Sequence, residues 1–255
     1  MKLTWYGTAA LLFESGGTCV AFDPFLGIAF GEPDPGKTEN RAVFAQAADV
    51  FVTHGHFDHI IQIPALCPDA RIHATATPCK TLRGRGLKNL DEIAPGQTLS
   101  VRPFTVRTYP GRHCRFNAGI VLKTAFSPRV WRHVRHMLRL LRWNRQYPEN
   151  GEILAYELEA EGKRVQILGS LGLNPDTTYP TGADVLVLPY QGRSDLEACA
   201  LPIVTRLAPK RVLLDHYDDS FPPMTAQIDT AAFEAMLIKA GTPCRALQKE
   251  ETITI

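Results

Sequence analysis

The sequence predicts a single α/β domain spanning residues 1–255. Three features predict it. Strand-like segments punctuated by glycine turns dominate the first half. Strands alternate with helical stretches in the second half, and no linker or low-complexity tract divides the two. With 255 residues and 45% hydrophobic content, the chain is long enough for one large core.

Residues 3–7, 9–14 and 18–23 read as short strands, with Gly16-Gly17 as a turn. Residues 27–37 form a loop rich in glycine and proline. Residues 50–53 make a short apolar strand, 71–75 another, and 78–85 a short helix with Pro78 at its start. Residues 101–109, 118–124, 152–159 and 164–168 read as strands, with Glu161-Gly162 turning between the last two. Strands at 184–188, 212–214 and 244–247 then alternate with helical stretches at 194–207 and 226–240.

No apolar run approaches the ~20 residues that span a bilayer. The opening Met1-Lys2-Leu3-Thr4-Trp5 lacks the basic and apolar regions of a signal peptide. Six scattered cysteines, none in a C-x-x-C pair, fit reduced thiols, so a cytoplasmic setting is expected. No G-x-x-x-x-G-K loop is present, which disfavours nucleoside triphosphate chemistry. The net charge of +2 is local: six arginines lie within residues 129–145, and without them 22 basic residues face 26 acidic ones.

The strongest chemical signal follows the strand at 50–53. In Thr53-His54-Gly55-His56-Phe57-Asp58-His59, three histidines and a carboxylate occupy six consecutive positions. Imidazole nitrogens and carboxylate oxygens are the donors that Zn²⁺, Mn²⁺ or Fe²⁺ accept at ~2.0–2.2 Å. On an extended segment His54 and His56 point the same way and can share a metal. A turn after them lets Asp58 and His59 face a second position ~3.5–4 Å away, and Gly55 permits a tight backbone path.

This H-x-H-x-D-H pattern after a short apolar strand resembles the signature of the metallo-β-lactamase superfamily. The likeness extends along the chain. Trp5-Tyr6-Gly7, a hairpin and Ala21-Phe22-Asp23-Pro24 look like the family's opening. His113 and His216 stand where its later ligand histidines are expected. The resemblance implies a four-layer αβ/βα sandwich with its metals at one edge of two packed sheets. It implies that His54, His56 and His113 bind one metal, and that Asp58, His59 and His216 serve a second. Asp23 then accepts a hydrogen bond from a ligand imidazole, and Asp58 orients the nucleophile or takes its proton. Zn²⁺ is the expected ion, with Mn²⁺ or Fe²⁺ as alternatives, one or two per chain.

The sequence departs from that pattern twice. Ser170, in Gly169-Ser170-Leu171-Gly172, stands where the family places an aspartate bridging the two metals. A unit charge against a dication at ~4 Å, with an effective dielectric of ~20, is on the order of 8 kcal/mol before desolvation. A net loss of even a few kcal/mol weakens the second metal by ~100-fold or more. Three arrangements answer this: a hydroxide bridges two metals, Asp176 reaches in from the next loop, or one metal binds and Asp58 acts as a base. Thr8 stands after Gly7 where relatives often carry histidine, which implies an altered pocket wall.

Residues 129–143 have helical period, with arginines at 129, 132, 135, 139 and 142 and apolar residues at 130, 134, 137 and 141. The segment reads as an amphipathic helix inserted between two strands. It is either an ordinary helix with a solvated basic face or a surface for anions, with Arg132, Arg135 and Arg139 as candidate contacts. A phosphorylated or lipid-like substrate and peripheral membrane contact through 129–145 both suit it. No second basic patch supports a nucleic-acid track. Tyr190, after the strand at 184–188, is a candidate substrate contact. Asp218 is either a partner of a ligand imidazole or a loop cap.

Together these features predict a metal-dependent hydrolase acting on an ester, lactone or phosphodiester bond. The overall look resembles the branch of cytoplasmic hydrolases that includes the L-ascorbate-6-phosphate lactonase. Two rivals are a mononuclear iron dioxygenase of sulfur compounds and a metal-binding module without catalysis.

Overall fold

Short apolar runs buried on both faces, as in β-strands Val185–Pro189 and Val212–Asp215, build the centre of the fold. The structure, a computed structural model, describes residues 1–30 and 42–255. Its elements in order are β1 (Lys2–Trp5), β2 (Leu11–Ser15), β3 (Thr18–Phe22), β4 (Ala47–Phe51), α1 (Phe57–Ile60), α2 (Ile63–Leu66), β5 (Arg71–Ala74), α3 (Ala76–Gly84) and β6 (Leu90–Glu92). There follow β7 (Thr98–Val101), β8 (Phe104–Pro110), α4 (Ala118–Ala125), α5 (Pro128–Arg132), α6 (Val134–Gln146), β9 (Leu154–Ala160) and β10 (Lys163–Leu168). The chain closes with β11 (Val185–Pro189), α7 (Leu196–Leu207), β12 (Val212–Asp215), α8 (Ala231–Lys239), β13 (Cys244–Ala246) and β14 (Thr252–Thr254). Of the glycine- and proline-rich loop expected at 27–37, residues 31–37 lie outside the described residues.

Two seven-stranded sheets result, ordered β14-β1-β2-β3-β4-β5-β6 and β13-β12-β11-β10-β9-β8-β7. Each has three antiparallel pairings followed by three parallel ones, so the sheets repeat one topology that no sequence repeat announces. The C-terminal β14 takes in the first sheet the edge place that β7 takes in the second. With helices on their outer faces, the sheets form the αβ/βα sandwich.

Alternation decides which side chain joins which layer. Phe13, Phe22 and Phe51 face the second sheet, where Phe13 meets Phe22 and both Phe22 and Phe51 meet Tyr156, while Leu12, Ala21 and Val50 face the helices α1 to α3. Each of these fully buried rings contributes about 2 kcal/mol. The Tyr156 hydroxyl donates to the Val52 carbonyl at 2.6 Å, tying the sheets together one residue before the histidine segment.

The topology gathers loops at one edge. β8 and β10 both pair antiparallel with β9, and β10, β11 and β12 are parallel, so β8, β10 and β12 all run the same way. Their C-terminal ends carry His113, Ser170 and His216, and the end of β4 brings the histidine cluster to the same place. Ligand sites outside the carboxyl ends of parallel strands are a general outcome of such sheets.

Three sequence expectations change. The strand expected at 101–109 is a hairpin, because Pro103 has no amide hydrogen to donate to a ladder and the chain turns there. The strand expected at 118–124 is the helix α4. Its Ile120-Val121-Leu122 run is strand-like, but β8 pairs directly with β9 and leaves the segment between them outside the sheet, while Asn117 caps the helix by accepting from the Ile120 amide at 3.1 Å. The helix expected at 129–143 is two, α5 and α6, broken at His133, whose ring stacks on Phe30. Its buried stripe is also rotated. Val130, His136, Leu140, partly Trp143, and Tyr147 pack inward, whereas Trp131, Val134, Leu138 and Leu141 stay exposed beside the arginines.

Candidate metal centre

The site grows from a hub at the end of β3. Asp23 is buried, with its backbone at φ 43°. One carboxylate oxygen accepts from the Thr53 amide at 2.8 Å, and the other accepts from the Thr53 hydroxyl at 2.6 Å and lies 2.9 Å from His59 Nδ1. The Thr53 hydroxyl in turn lies 3.0 Å from His54 Nδ1. With its proton given to Asp23, this oxygen accepts from His54, so Nδ1 carries the hydrogen on both His54 and His59. His113 Nδ1 donates to the Cys114 carbonyl at 2.8 Å. These bonds occupy Nδ1 and leave Nε2 of all three rings as the nitrogen available to ligate.

Two groups of donors converge. Ligand atoms of His54, His56, His113 and Glu149 lie within 4.8 Å of one another, and so do those of Asp58, His59 and His216. His54 Nε2 faces His56 Nδ1 at 3.1 Å, a geometry that a cation between them satisfies. Asp58 Oδ2 lies 3.3 Å from His216 Nε2 and 3.7 Å from His59 Nε2.

The electrostatics differ between the groups. Burial, reinforced by neighbouring imidazoles, holds His54 well below its ordinary 6.5 and brings His56 down to about 4, so both imidazoles are neutral at physiological pH and able to ligate. Burial opposes ionisation of Asp58, but the facing imidazoles of His59 and His216 outweigh it and hold the carboxyl below its usual range. Burial likewise lowers His216, and its pairing with Asp58 overcomes this and raises it.

The site's second tier differs from expectation. Ser170 offers no carboxylate; its hydroxyl accepts from the Cys114 amide at 3.0 Å and so fixes the segment that carries His113. Asp176 is exposed and stays in a turn closed by Asn174. Tyr190, expected beside the substrate, is buried and stacked on Phe233 of α8. Thr8 is buried rather than part of a pocket wall: its carbonyl accepts from the His216 amide at 2.9 Å. Asp218 braces that turn by accepting from the Thr8 amide at 3.0 Å. Gly55 is needed for close approach, since a Cβ there would sit 2.4 Å from the Pro148 carbonyl oxygen.

Sequence reasoning missed Glu149 and Thr53. Glu149 is the first acid after Glu92, and that long acid-free run was its one signal. Thr53 has no motif of its own; its role appears only with Asp23 and two imidazoles around it. The arginines lie nearby on the insertion, where α6 packs on α1 and Trp143 meets Phe57. Arg129 is paired with Asp219, three residues past His216. Arg132, Arg135 and Arg139, with Phe30, His133 and His136, line a cavity of about 350 Å³. Among the described residues no helix is long and apolar enough to cross a membrane, and all six cysteines are unpaired.

A two-sheet sandwich with a histidine-rich edge defines the class, and comparison with known proteins agrees. The chain belongs to the β-lactamase superfamily, whose domain matches residues 18–217. It is 26% identical over 273 residues to a UPF0173 metal-dependent hydrolase of Methylobacterium nodulans, a match covering 100% of both chains. Among solved structures it is similar to Igni18, a novel metallo hydrolase from Ignicoccus hospitalis, with a TM-score of 0.65, 19% identity, and coverage of 100% of this chain and 97% of that one. It is similar also to CmlA, a diiron β-hydroxylase from Streptomyces venezuelae, with a TM-score of 0.61, 16% identity, and coverage of 100% and 54% respectively. At these identities the structural likeness speaks to the fold alone. Family and histidine-rich site together support a divalent metal.

Proposed function

We propose that this chain is a metal-dependent hydrolase cleaving an ester, lactone or phosphodiester bond in an anionic, amphiphilic substrate. The observation that carries the reading is the convergence of two donor groups, His54/His56/His113 and Asp58/His59/His216, at one edge of the sandwich. The donors fit Zn²⁺, with Mn²⁺ or Fe²⁺ as alternatives. When bound, the metal supplies a water acidified toward neutral pH and a Lewis acid for the oxygen that gains charge. The chain's own contribution is positional and acid–base. Asp23 and Thr53 hold the His54 and His59 rings, and the ionised Asp58 carboxylate accepts the nucleophile's proton. The unpaired cysteines support a cytoplasmic setting.

The substrate class is supported by the insertion. Residues 93–148 contain no acid, and the arginine-lined cavity on α5 and α6 offers planar donors suited to phosphate or carboxylate. Phe116, which lies beside His113, Val121, Leu122, Phe126, Trp131 and Leu138 are exposed on the same insertion. Arginines mixed with large apolar side chains suit an anionic headgroup with an acyl or aromatic tail, or the surface of a lipid bilayer.

The test is a screen of the metal-reconstituted protein on chromogenic phosphodiester, lactone and ester substrates. Turnover with at least one of Zn²⁺, Mn²⁺ or Fe²⁺, lost in Asp58→Asn, is the expected result. No turnover with any of the three sinks the hydrolase, and oxygen uptake by the iron form points to an oxidase instead. Flotation with anionic liposomes tests the surface: binding unchanged in the Arg132→Glu, Arg135→Glu, Arg139→Glu triple variant removes the lipid reading.

A further inference from the structure

The half-centre made by His54, His56 and His113 has three imidazoles and, with the Ser170 hydroxyl bound to the Cys114 amide, no carboxylate from the strand ends. The Asp58 half has one carboxylate. The insertion corrects the imbalance. Directly after α6 the chain crosses over Gly55, where the Pro148 carbonyl occupies the space of a missing Cβ, and this contact seats Glu149 above the histidines.

Three observations place its carboxylate toward a shared point rather than toward one ring. A ligand oxygen of Glu149 is within 4.8 Å of ligand nitrogens on all three histidines. Donors around a single ion with bonds of ~2.0–2.2 Å stand ~3–4 Å apart, so no pair has to close by more than about 1–2 Å. Its Oε2 is 3.9 Å from His56 Nε2, beyond a hydrogen bond. That oxygen is also buried with no hydrogen-bond partner. A buried carboxylate oxygen left unpartnered is unfavourable, and a cation among these groups resolves it.

We propose that Glu149 is a metal ligand of the histidine half-site, supplying from the helical insertion the carboxylate that Ser170 does not. Each half of the centre then holds one carboxylate, and two ions bind without a bridging aspartate. The insertion is thereby part of the metal site as well as its cationic flank. This rests on the metal-binding part of the proposed function.

The test measures metal stoichiometry and affinity by chelator competition with elemental analysis, and the visible spectrum of the Co²⁺ form, in wild type and Glu149→Gln. Wild type should bind two ions per chain. Glu149→Gln should weaken one of them by about 100-fold or more and shift the Co²⁺ bands. Its metal-free form should melt no lower than wild type, because the oxygen removed had no partner. Adding Ser170→Asp to Glu149→Gln should restore the affinity, since aspartate at 170 can still accept from Cys114 while offering a carboxylate. A mere role in orienting the His56 ring predicts no such rescue. Unchanged affinity and Co²⁺ spectrum in Glu149→Gln, a metal-free variant that melts lower, or absent rescue overturns the assignment and leaves the hydrolase reading standing. A wild-type protein that binds no metal overturns both.

Discussion

The two halves of the centre contain similar donors but are built differently. Asp58, His59 and His216 are held by the sheets' own loops. His59 is bonded to Asp23 within the sandwich, and His216 hangs from the Thr8 turn. His54 shares the Asp23–Thr53 relay, but His56 is one-fifth exposed, His113 hangs on a loop fixed by Ser170, and Glu149 arrives from the insertion. The first half is therefore part of the core, and the second is assembled on its rim. A rim can be altered by insertion and substitution without disturbing the packing beneath it.

The comparison breaks most readily at the imidazoles. His59→Ala should destabilise the metal-free protein by about 3 kcal/mol, because it opens a buried space and strips Asp23 of a partner. His56→Ala should cost under ~1 kcal/mol, because its ring is partly solvated. Urea unfolding of both variants checks this; equal losses would make the two halves equally structural.

A smaller effect follows at the hub. Asp23→Asn keeps the shape but weakens the acceptor for His59 and Thr53. Metal affinity should fall by about 10- to 100-fold, more at the Asp58 half than at the histidine half. Titration of site-resolved Co²⁺ absorbance measures both, and an effect confined to the histidine half would refute the wiring described above.

The smallest effect is one of pH and has opposite signs in the two halves. His56 has a folded pKa of about 4 against an ordinary 6.5, so protonation favours the unfolded chain and stability is lost as pH falls below 6.5. His216 is raised, so its contribution is complete below 6.5 and is lost as pH rises through its folded value. For the metal-free protein between pH 5 and 8, the melting temperature of wild type minus that of His56→Gln should fall toward acid. The same difference for His216→Gln should fall toward alkali. Parallel trends would erase the electrostatic distinction.

Much of the frame was legible because its signals are local. The strands at 18–23 and 164–168 are announced by apolar runs and turns, β4 begins three residues before the expected 50–53, and the six-residue histidine cluster announces its chemistry by spacing alone. Residues 118–124 were not legible. Their β-branched content favours a strand, whereas β8 pairs directly with β9 and the segment between them forms a helix capped by Asn117. The arginine segment was legible as amphipathic but not in its rotation, since which stripe is buried depends on α1 and on Phe30. Tyr190 reads as a loop residue near the site, and its burial follows from stacking on Phe233 of α8, which no local pattern announces.

By itself, then, the sequence determined the layered α/β class, the donor types His54, His56, Asp58 and His59, and the loss of charge at Ser170, because residue type and short-range spacing set all of these. Tertiary structure alone decided that Asp23 and Thr53 orient two rings, that Asp176 stays away, and that Glu149 comes close. Those outcomes depend on contacts between segments 30 to 95 residues apart, whose meeting is set by the direction of strands and the room that Gly55 leaves, and no local pattern encodes either.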